Sequence, residues 1–221
     1  MLIAGVLLMA AVSASAIPIE VTLLNYGPGG VWENGYPYFG LVPGVGDTPI
    51  MCDDYVHGGN PGDKWFANIT NMGTLPTTSV NFVRFNQTRN YITLYDEAGW
   101  LLLETRVNPI GDWKDINYAV WHIFDPSSPL DQGAQAWLTA AQIEAGKGFP
   151  GVDFFLVDIL TPVNQHDPDP NDPQEFLFLA SGQPPNAIGG PGIQTGSTPE
   201  PGTLLLLGTG VLALFGRKFW S

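Results

Sequence analysis

Two apolar segments near the ends of the chain confine a globular fold to the residues between them. Residues 2–12 are an apolar run followed by Ala14-Ser15-Ala16, and residues 203–215 are a second uncharged, largely apolar run. The first run has the length of a secretory signal's hydrophobic region, and the small residues that follow it form a cleavage site. We therefore expect a signal peptide over residues 1–16, cleavage before Ile17, and one folded domain over residues 17–180.

The C-terminal apolar run follows a linker and precedes two basic residues. Residues 181–198 are rich in Gly, Pro, Ser, Thr and Gln and show no periodicity, which predicts a flexible linker. A helix over residues 203–215 spans about 20 Å, against roughly 30 Å of hydrocarbon in a bilayer. Extension through Trp220, with Arg217 and Lys218 reaching the interface, lengthens that span. The sequence thus predicts a transmembrane helix within residues 199–221, with a cytoplasmic C-terminus.

The order of parts at the C-terminus resembles the PEP-CTERM sorting signal of Gram-negative bacteria. The resemblance is carried by Pro199-Glu200-Pro201, by the apolar residues 203–215 and by Arg217-Lys218. It implies recognition and removal of the tail by an exosortase-like membrane enzyme, after export through the Sec translocon. It also implies a precursor held by its C-terminal helix and a final location at the cell surface or outside the cell. A plain single-span anchor is the alternative.

The charge balance of the chain excludes one class of partner. Acidic residues outnumber basic ones by 21 to 8, and the net charge is −13. A field of this sign repels nucleic acid, so we expect no nucleic-acid partner. The hydrophobic share of 44% is sufficient for a packed core, which argues against a disordered chain.

Residues 17–180 combine strand-like and helix-like patterns. Apolar residues at helical spacing predict three helices, over residues 90–105, from Asp112 to Pro126, and from Ser128-Pro129 to Gly146. Alternating or β-rich segments predict strands at residues 19–27, 36–43, 48–56, 64–70, 152–160 and 174–180. This order predicts an α+β domain, mainly an antiparallel sheet or barrel with a packed cluster of about three helices.

Polar residues interrupt two of these apolar segments. The second helix is apolar on most sides, so Asn117 is predicted to be a buried amide that requires partners. On the strand around Cys52, alternation directs Cys52 and Asp54 to one face and Asp53 to the other. We expect one of the two acids to be turned inward, where helix N-terminal N–H groups or the Asn117 amide satisfy it.

The same residues carry a second resemblance, to bacterial thioester domains. The segment "MCDDY" at residues 51–55, followed by "INYAVW" at residues 116–121, is similar to the paired motifs of those adhesin modules. There, a Cys and a Gln four residues before the Trp form an internal thioester that captures nucleophiles. Cys52 matches the cysteine, whereas Asn117, one methylene shorter, occupies the glutamine position. We expect this chain to have the scaffold of a thioester domain without the internal thioester bond. The alternative is a covalent adhesin in which Cys52 and Asn117 form such a bond.

The other candidate catalytic, metal-binding and sugar-binding residues indicate a function less specifically. Cys52 is the only cysteine, and its pairing with His122 as a nucleophile lacks an oxyanion-hole motif. The acidic loop with Asp167, Asp169 and Asp172 lacks the glycine and spacing of a Ca²⁺-binding loop. Trp32, Trp65 and Trp100 are candidates for stacking on sugars. We expect a non-enzymatic surface or matrix protein without a cofactor. The tail suggests extracellular polysaccharide as a partner. A carbohydrate- or Ca²⁺-binding module is a further alternative.

Overall fold

The computed structural model describes residues 17–26, 38–75, 83–163 and 172–180. The predicted signal peptide, linker, sorting motif and C-terminal helix lie outside these ranges, as do Asp167 and Asp169. Within the described ranges, no helix combines the length and apolar character needed to cross a membrane.

Six strands of the described chain form a closed barrel. Their order around the barrel is β1-β2-β3-β6-β5-β4, and every neighbouring pair is antiparallel. Closure leaves no exposed strand edge, since each strand pairs on both sides. The strands are β1 (Ile19–Tyr26), β2 (Tyr38–Val42), β3 (Gly46–Cys52), β4 (Lys64–Asn71), β5 (Val157–Pro162) and β6 (Phe176–Leu179).

Three α-helices of the described chain lie between β4 and β5 in sequence. They are α1 (Tyr91–Glu104), α2 (Trp113–Phe124) and α3 (Gln132–Lys147). Helix α3 begins later than Ser128-Pro129 because Asp131 is its N-cap, where the carboxylate accepts a bond from the Ala134 N–H. It ends at Gly148, whose φ of 73° terminates the helix without the steric cost that a side chain would bring.

The core has two hydrophobic clusters on the two faces of the β3–β6 pair. Alternation along β3 sends Ile50 and Cys52 into the barrel interior, whereas Met51 faces the helices. Helix α2 connects the two clusters, because Ile116 packs in the helix cluster and Trp121 in the barrel cluster. The prediction that the second helix is a central, buried one is therefore confirmed.

The strand boundaries differ most from the sequence prediction at the end of β3 and at the start of β5. β3 ends at Cys52, because Asp54 turns back to accept backbone bonds from Val56 and His57. The closing strand begins at Val157 rather than residue 152, since Asp153 caps a short 3-10 turn over Phe154–Leu156. Apolar residues of this kind cannot be assigned to strand or turn by periodicity alone.

Candidate functional site

The register of β3 and β6 places two acidic residues opposite each other at the end of the barrel. Cys52 pairs with Phe176, so the next residues outward, Asp53 and Glu175, face each other across the ladder. The Asp53 N–H donates to the Glu175 carbonyl oxygen at 3.4 Å and continues this pairing beyond the strand. Both side chains are completely buried. Like charges in this position destabilise a sheet unless one of them is neutralised.

Glu175 is the member of this carboxyl pair whose carboxylate receives more hydrogen bonds. Its carboxylate accepts bonds from the Tyr95 hydroxyl, from the Thr161 hydroxyl and from the Arg84 backbone N–H, the last at 2.9 Å. Burial raises the pKa of Glu175, and these donors oppose that rise. Burial and then repulsion by Glu175 raise the pKa of Asp53 well above its ordinary value. These directions favour the proton of the pair on Asp53, whose carboxyl oxygens have no partner among the described residues, rather than on Glu175.

Asp54 is the centre of a second buried group of charges. Arg84 forms an ion pair with its carboxylate, and His57 Nδ1 lies 2.8 Å from Asp54 Oδ2. The guanidinium of Arg84 also donates to the Pro173 carbonyl oxygen at 2.8 Å. Both acids of the "CDD" sequence are thus buried, whereas the sequence predicted one. They differ in their electrostatic surroundings, because Asp54 has a cation beside it and Asp53 has another carboxyl.

Cys52 and Asn117 are in contact, although not through the sulfur. The Asn117 Nδ2 donates to the backbone carbonyl oxygen of Cys52 at 2.8 Å. The Cys52 thiol donates to the Asp54 carbonyl oxygen at 3.1 Å and accepts from the Asp54 N–H at 3.3 Å. Burial, followed by repulsion from Asp53, raises the pKa of the thiol. A buried thiol of this kind is a poor nucleophile, since the thiolate is the reactive form.

The structure corrects one detail of the sequence prediction and confirms another. Asn117 is fully buried as predicted, but its amide N–H group binds the Cys52 carbonyl rather than a carboxylate. The Cys52 carbonyl that accepts this bond belongs to the last residue of β3. Asp54 instead obtains its partners from the turn that follows and from Arg84.

Two other described candidates are His122 and Asp172. His122 directs Nδ1 to the Ser128 carbonyl oxygen at 3.3 Å. Asp172 lies in a short described segment before β6. Across the described ranges, no group of three or more His, Cys, Asp or Glu side chains is arranged to hold a metal ion.

Sequence reasoning missed four residues that complete the polar group: His57, Arg84, Tyr95 and Glu175. The available signal was weak, because Gln174-Glu175 is simply a polar pair at the start of an apolar strand. Arg84 lies in a segment without regular secondary structure, where no periodicity indicates which way a side chain points.

Comparisons with known proteins gave a match to one family model and to one solved structure. Residues 197–218 match the family model of the PEP-CTERM protein-sorting motif, which confirms that prediction and implies export and sorting by an exosortase. No curated protein matches the chain in sequence. Among solved structures, the fold is similar to the N-terminal thioester domain of a surface protein from Clostridium perfringens. That match has 12% identity and a TM-score of 0.41, and it covers 72% of this chain and 98% of the other.

Proposed function

We propose that this chain is an exported, non-catalytic cell-surface or extracellular-matrix protein that an exosortase sorts through its C-terminal tail. The observation that carries this proposal is the PEP-CTERM motif at residues 197–218. In this proposal the signal peptide directs the chain to the Sec translocon. The C-terminal helix then anchors the chain in the membrane until the tail is processed, as the hydrophobic tail of a GPI signal does.

The sorting step is tested in a bacterium that contains an exosortase, with an otherwise identical strain lacking the enzyme. The full chain is expressed in both strains, and immunoblotting and mass spectrometry follow the protein in membrane and extracellular fractions. We expect loss of peptides C-terminal to Pro201 and release from the membrane only in the first strain. Glu200→Ala should block this processing, whereas the linker variant Pro184→Ala should not. Identical fractionation in the two strains would contradict the proposal.

We propose further that Cys52 is a reduced, structural thiol in the folded domain. Three observations support this: its sulfur is engaged by the backbone of Asp54, its pKa is raised by burial, and Asn117 uses its amide nitrogen on the Cys52 carbonyl. A side chain that is both buried and protonated acts as a small hydrophobic group.

A covalent adhesin is the second candidate, because Cys52 and Asn117 are in contact. In that reaction the Cys52 sulfur attacks Cγ of Asn117, a C–S bond replaces the C–N bond, and the nitrogen leaves as ammonia with the thiol proton. The mass falls by about 17 Da when this bond forms, since a nucleophile has displaced ammonia. Intact mass and thiol titration of the denatured protein decide between the two states. We expect the full mass and one titratable thiol, with Cys52→Ala as the control that loses the thiol signal.

A further inference from the structure

The connection between β3 and β4 crosses one end of the barrel. In the strand order β1-β2-β3-β6-β5-β4, these two strands are equally far apart in both directions, so they lie on opposite sides of the closed barrel. At the start of the connection, the Asp53 N–H bonds to the Glu175 carbonyl oxygen. Near its end, the Gly62 N–H bonds to the Leu23 carbonyl oxygen of β1. Residues 54–59, which we call the strap, lie between these two fixed points.

The strap lies against the side chain of Cys52. Cys52 is the last residue of β3, belongs to the barrel cluster and has no exposed surface. Its thiol donates to the Asp54 carbonyl oxygen at 3.1 Å and accepts from the Asp54 N–H at 3.3 Å. The next residue, Tyr55, packs on Trp121 with the ring centroids 5.2 Å apart. Displacement of the strap therefore removes the main chain that contacts the sulfur.

Side chains from two other parts of the barrel end hold the strap by hydrogen bonds. The Gln174 amide nitrogen donates to the carbonyl oxygen of Asp54 at 3.0 Å and to that of His57. The Tyr26 hydroxyl donates to the Gly59 carbonyl oxygen at 2.8 Å. These bonds join both ends of the strap to the barrel without including it in a strand ladder. Each of them can be removed by substituting a residue outside the strap.

Apolar burial contributes little to the closed position of the strap. Val56 is 61% exposed and Tyr55 is 37% exposed. A cavity of about 430 Å³ borders Val56 on the side of Arg84, and cavities of about 240 Å³ and 280 Å³ border Gly58 and Gly59. Segments with few buried apolar contacts open at a lower free energy than the core does. The two adjacent glycines also allow the backbone dihedrals to change at little steric cost.

We propose that the strap closes this end of the barrel over the buried thiol and opens as a unit while the strands and helices stay folded. Gln174 and Tyr26 hold it closed by hydrogen bonds, and Arg84 does so by its ion pair with the Asp54 carboxylate. Gly58-Gly59 is the hinge. Opening gives a solute access to the thiol from this end of the barrel. The proposal goes beyond the sorting of the chain, and only one of its two measurements rests on the proposed reduced thiol.

The test compares amide hydrogen exchange with thiol modification in the full chain in detergent. Mass spectrometry follows the exchange of strap and β3 peptides, and maleimide labelling follows Cys52, both without urea and in low urea. We expect the strap amides and the thiol to react about a hundredfold more slowly than in the denatured chain, but faster than the β3 amides exchange. Low urea should change the strap and thiol rates little, because a local opening exposes little surface.

Variants of the residues that hold the strap should accelerate both reactions. Gln174→Met removes the amide that binds two strap carbonyls and should increase both rates about tenfold, whereas Tyr26→Phe removes one bond and should increase them about threefold. Ile159→Val is the matched control, because Ile159 is a buried β5 residue of the helix cluster. It lowers the global stability by a comparable amount without touching the strap, so both rates should stay unchanged.

Several results would overturn the proposal. Strap and thiol rates with the urea dependence of global unfolding would show that the strap does not open by itself. Equal rates in Gln174→Met and Ile159→Val would exclude the amide as a group that holds the strap. Labelling as fast as in the denatured chain would show that the thiol is not covered. If the denatured chain has no titratable thiol, the reduced state proposed for Cys52 is wrong, and the exchange of the strap amides alone decides the proposal.

Discussion

The neighbouring residues Glu175 and Gln174 lie on opposite faces of the β3–β6 strand pair and differ in their hydrogen bonds. On the helix-facing side, Glu175 receives bonds from Tyr95, Thr161 and the Arg84 backbone. On the barrel side, one residue away, Gln174 leaves Oε1 without a described partner beside a cavity. Because successive residues of a strand point to opposite faces, a single polar dipeptide supplies both environments.

This difference predicts unequal contributions to stability. A carboxylate with several donors stabilises one arrangement of the helices on the barrel, since every other arrangement leaves those donors unpaired. A buried acceptor without a donor has no bond that offsets its desolvation. Substitutions of Glu175 and its donors should therefore reduce the stability of the domain more than substitutions of Gln174.

The largest loss of stability is expected for Glu175→Ala. The substitution leaves the hydroxyls of Tyr95 and Thr161 buried without an acceptor, and we expect a loss of about 3 kcal/mol in the free energy of unfolding. Urea denaturation followed by far-UV circular dichroism measures it. Glu20→Ala, at a carboxylate that is half exposed on β1, is the matched control and should change stability by less than about 0.5 kcal/mol. Similar effects of the two substitutions would mean that the helix-side group has no special role.

A smaller loss is expected for Arg84→Met on the same side. Asp54 then loses its guanidinium partner, yet it retains the backbone donors of Val56 and His57 and the His57 ring. We expect a loss of about 2 kcal/mol, less than for a buried ion without any remaining partner. The exposed Arg106→Met is the control in the same denaturation experiment. A loss as small as in the control would show that the ion pair with Asp54 contributes nothing net.

The sequence predicted the positions of the helices and strands better than it predicted which of them contact each other. The helices α1 and α2 and the strands β1 and β4 lie within a few residues of their predicted positions, because apolar periodicity reports local structure. The opposition of Asp53 and Glu175 was not predictable, since alternation carries no information on which distant strand pairs with β3. For the same reason Asn117 was correctly expected to be buried, but the Cys52 carbonyl was not foreseen as its acceptor.

Asp53→Asn should stabilise the domain, by about 1 kcal/mol at pH 8. The folded domain raises the pKa of Asp53 above its ordinary value of 3.8, so the folded state holds a proton that the unfolded chain releases. That contribution is fully present below pH 3.8 and is lost as the pH rises towards the folded pKa. Asn is neutral beside Glu175 without requiring a proton, so its advantage over the wild type should grow from pH 4 to pH 8. Thermal melts across this range measure it, with the exposed Asp47→Asn on β3 as control. An advantage that is constant with pH would indicate that Asp53 is not the protonated partner.

An effect of similar size but opposite sign is expected at Cys52, and its size distinguishes a structural thiol from a cross-link. Cys52→Ala removes a buried sulfur from the barrel cluster and should cost about 1 kcal/mol, as for other small deletions in a core. A covalent bond between Cys52 and Asn117 would close a loop of 65 residues in the unfolded chain. Removal of such a bond would cost about 4 kcal/mol by the chain-entropy relation for cross-links. The denaturation midpoint of Cys52→Ala therefore tests the covalent interpretation independently of mass. A loss as large as that expected for a cross-link would indicate that Cys52 joins the barrel to helix α2 covalently. A group on the barrel face would then also hold the helices in place.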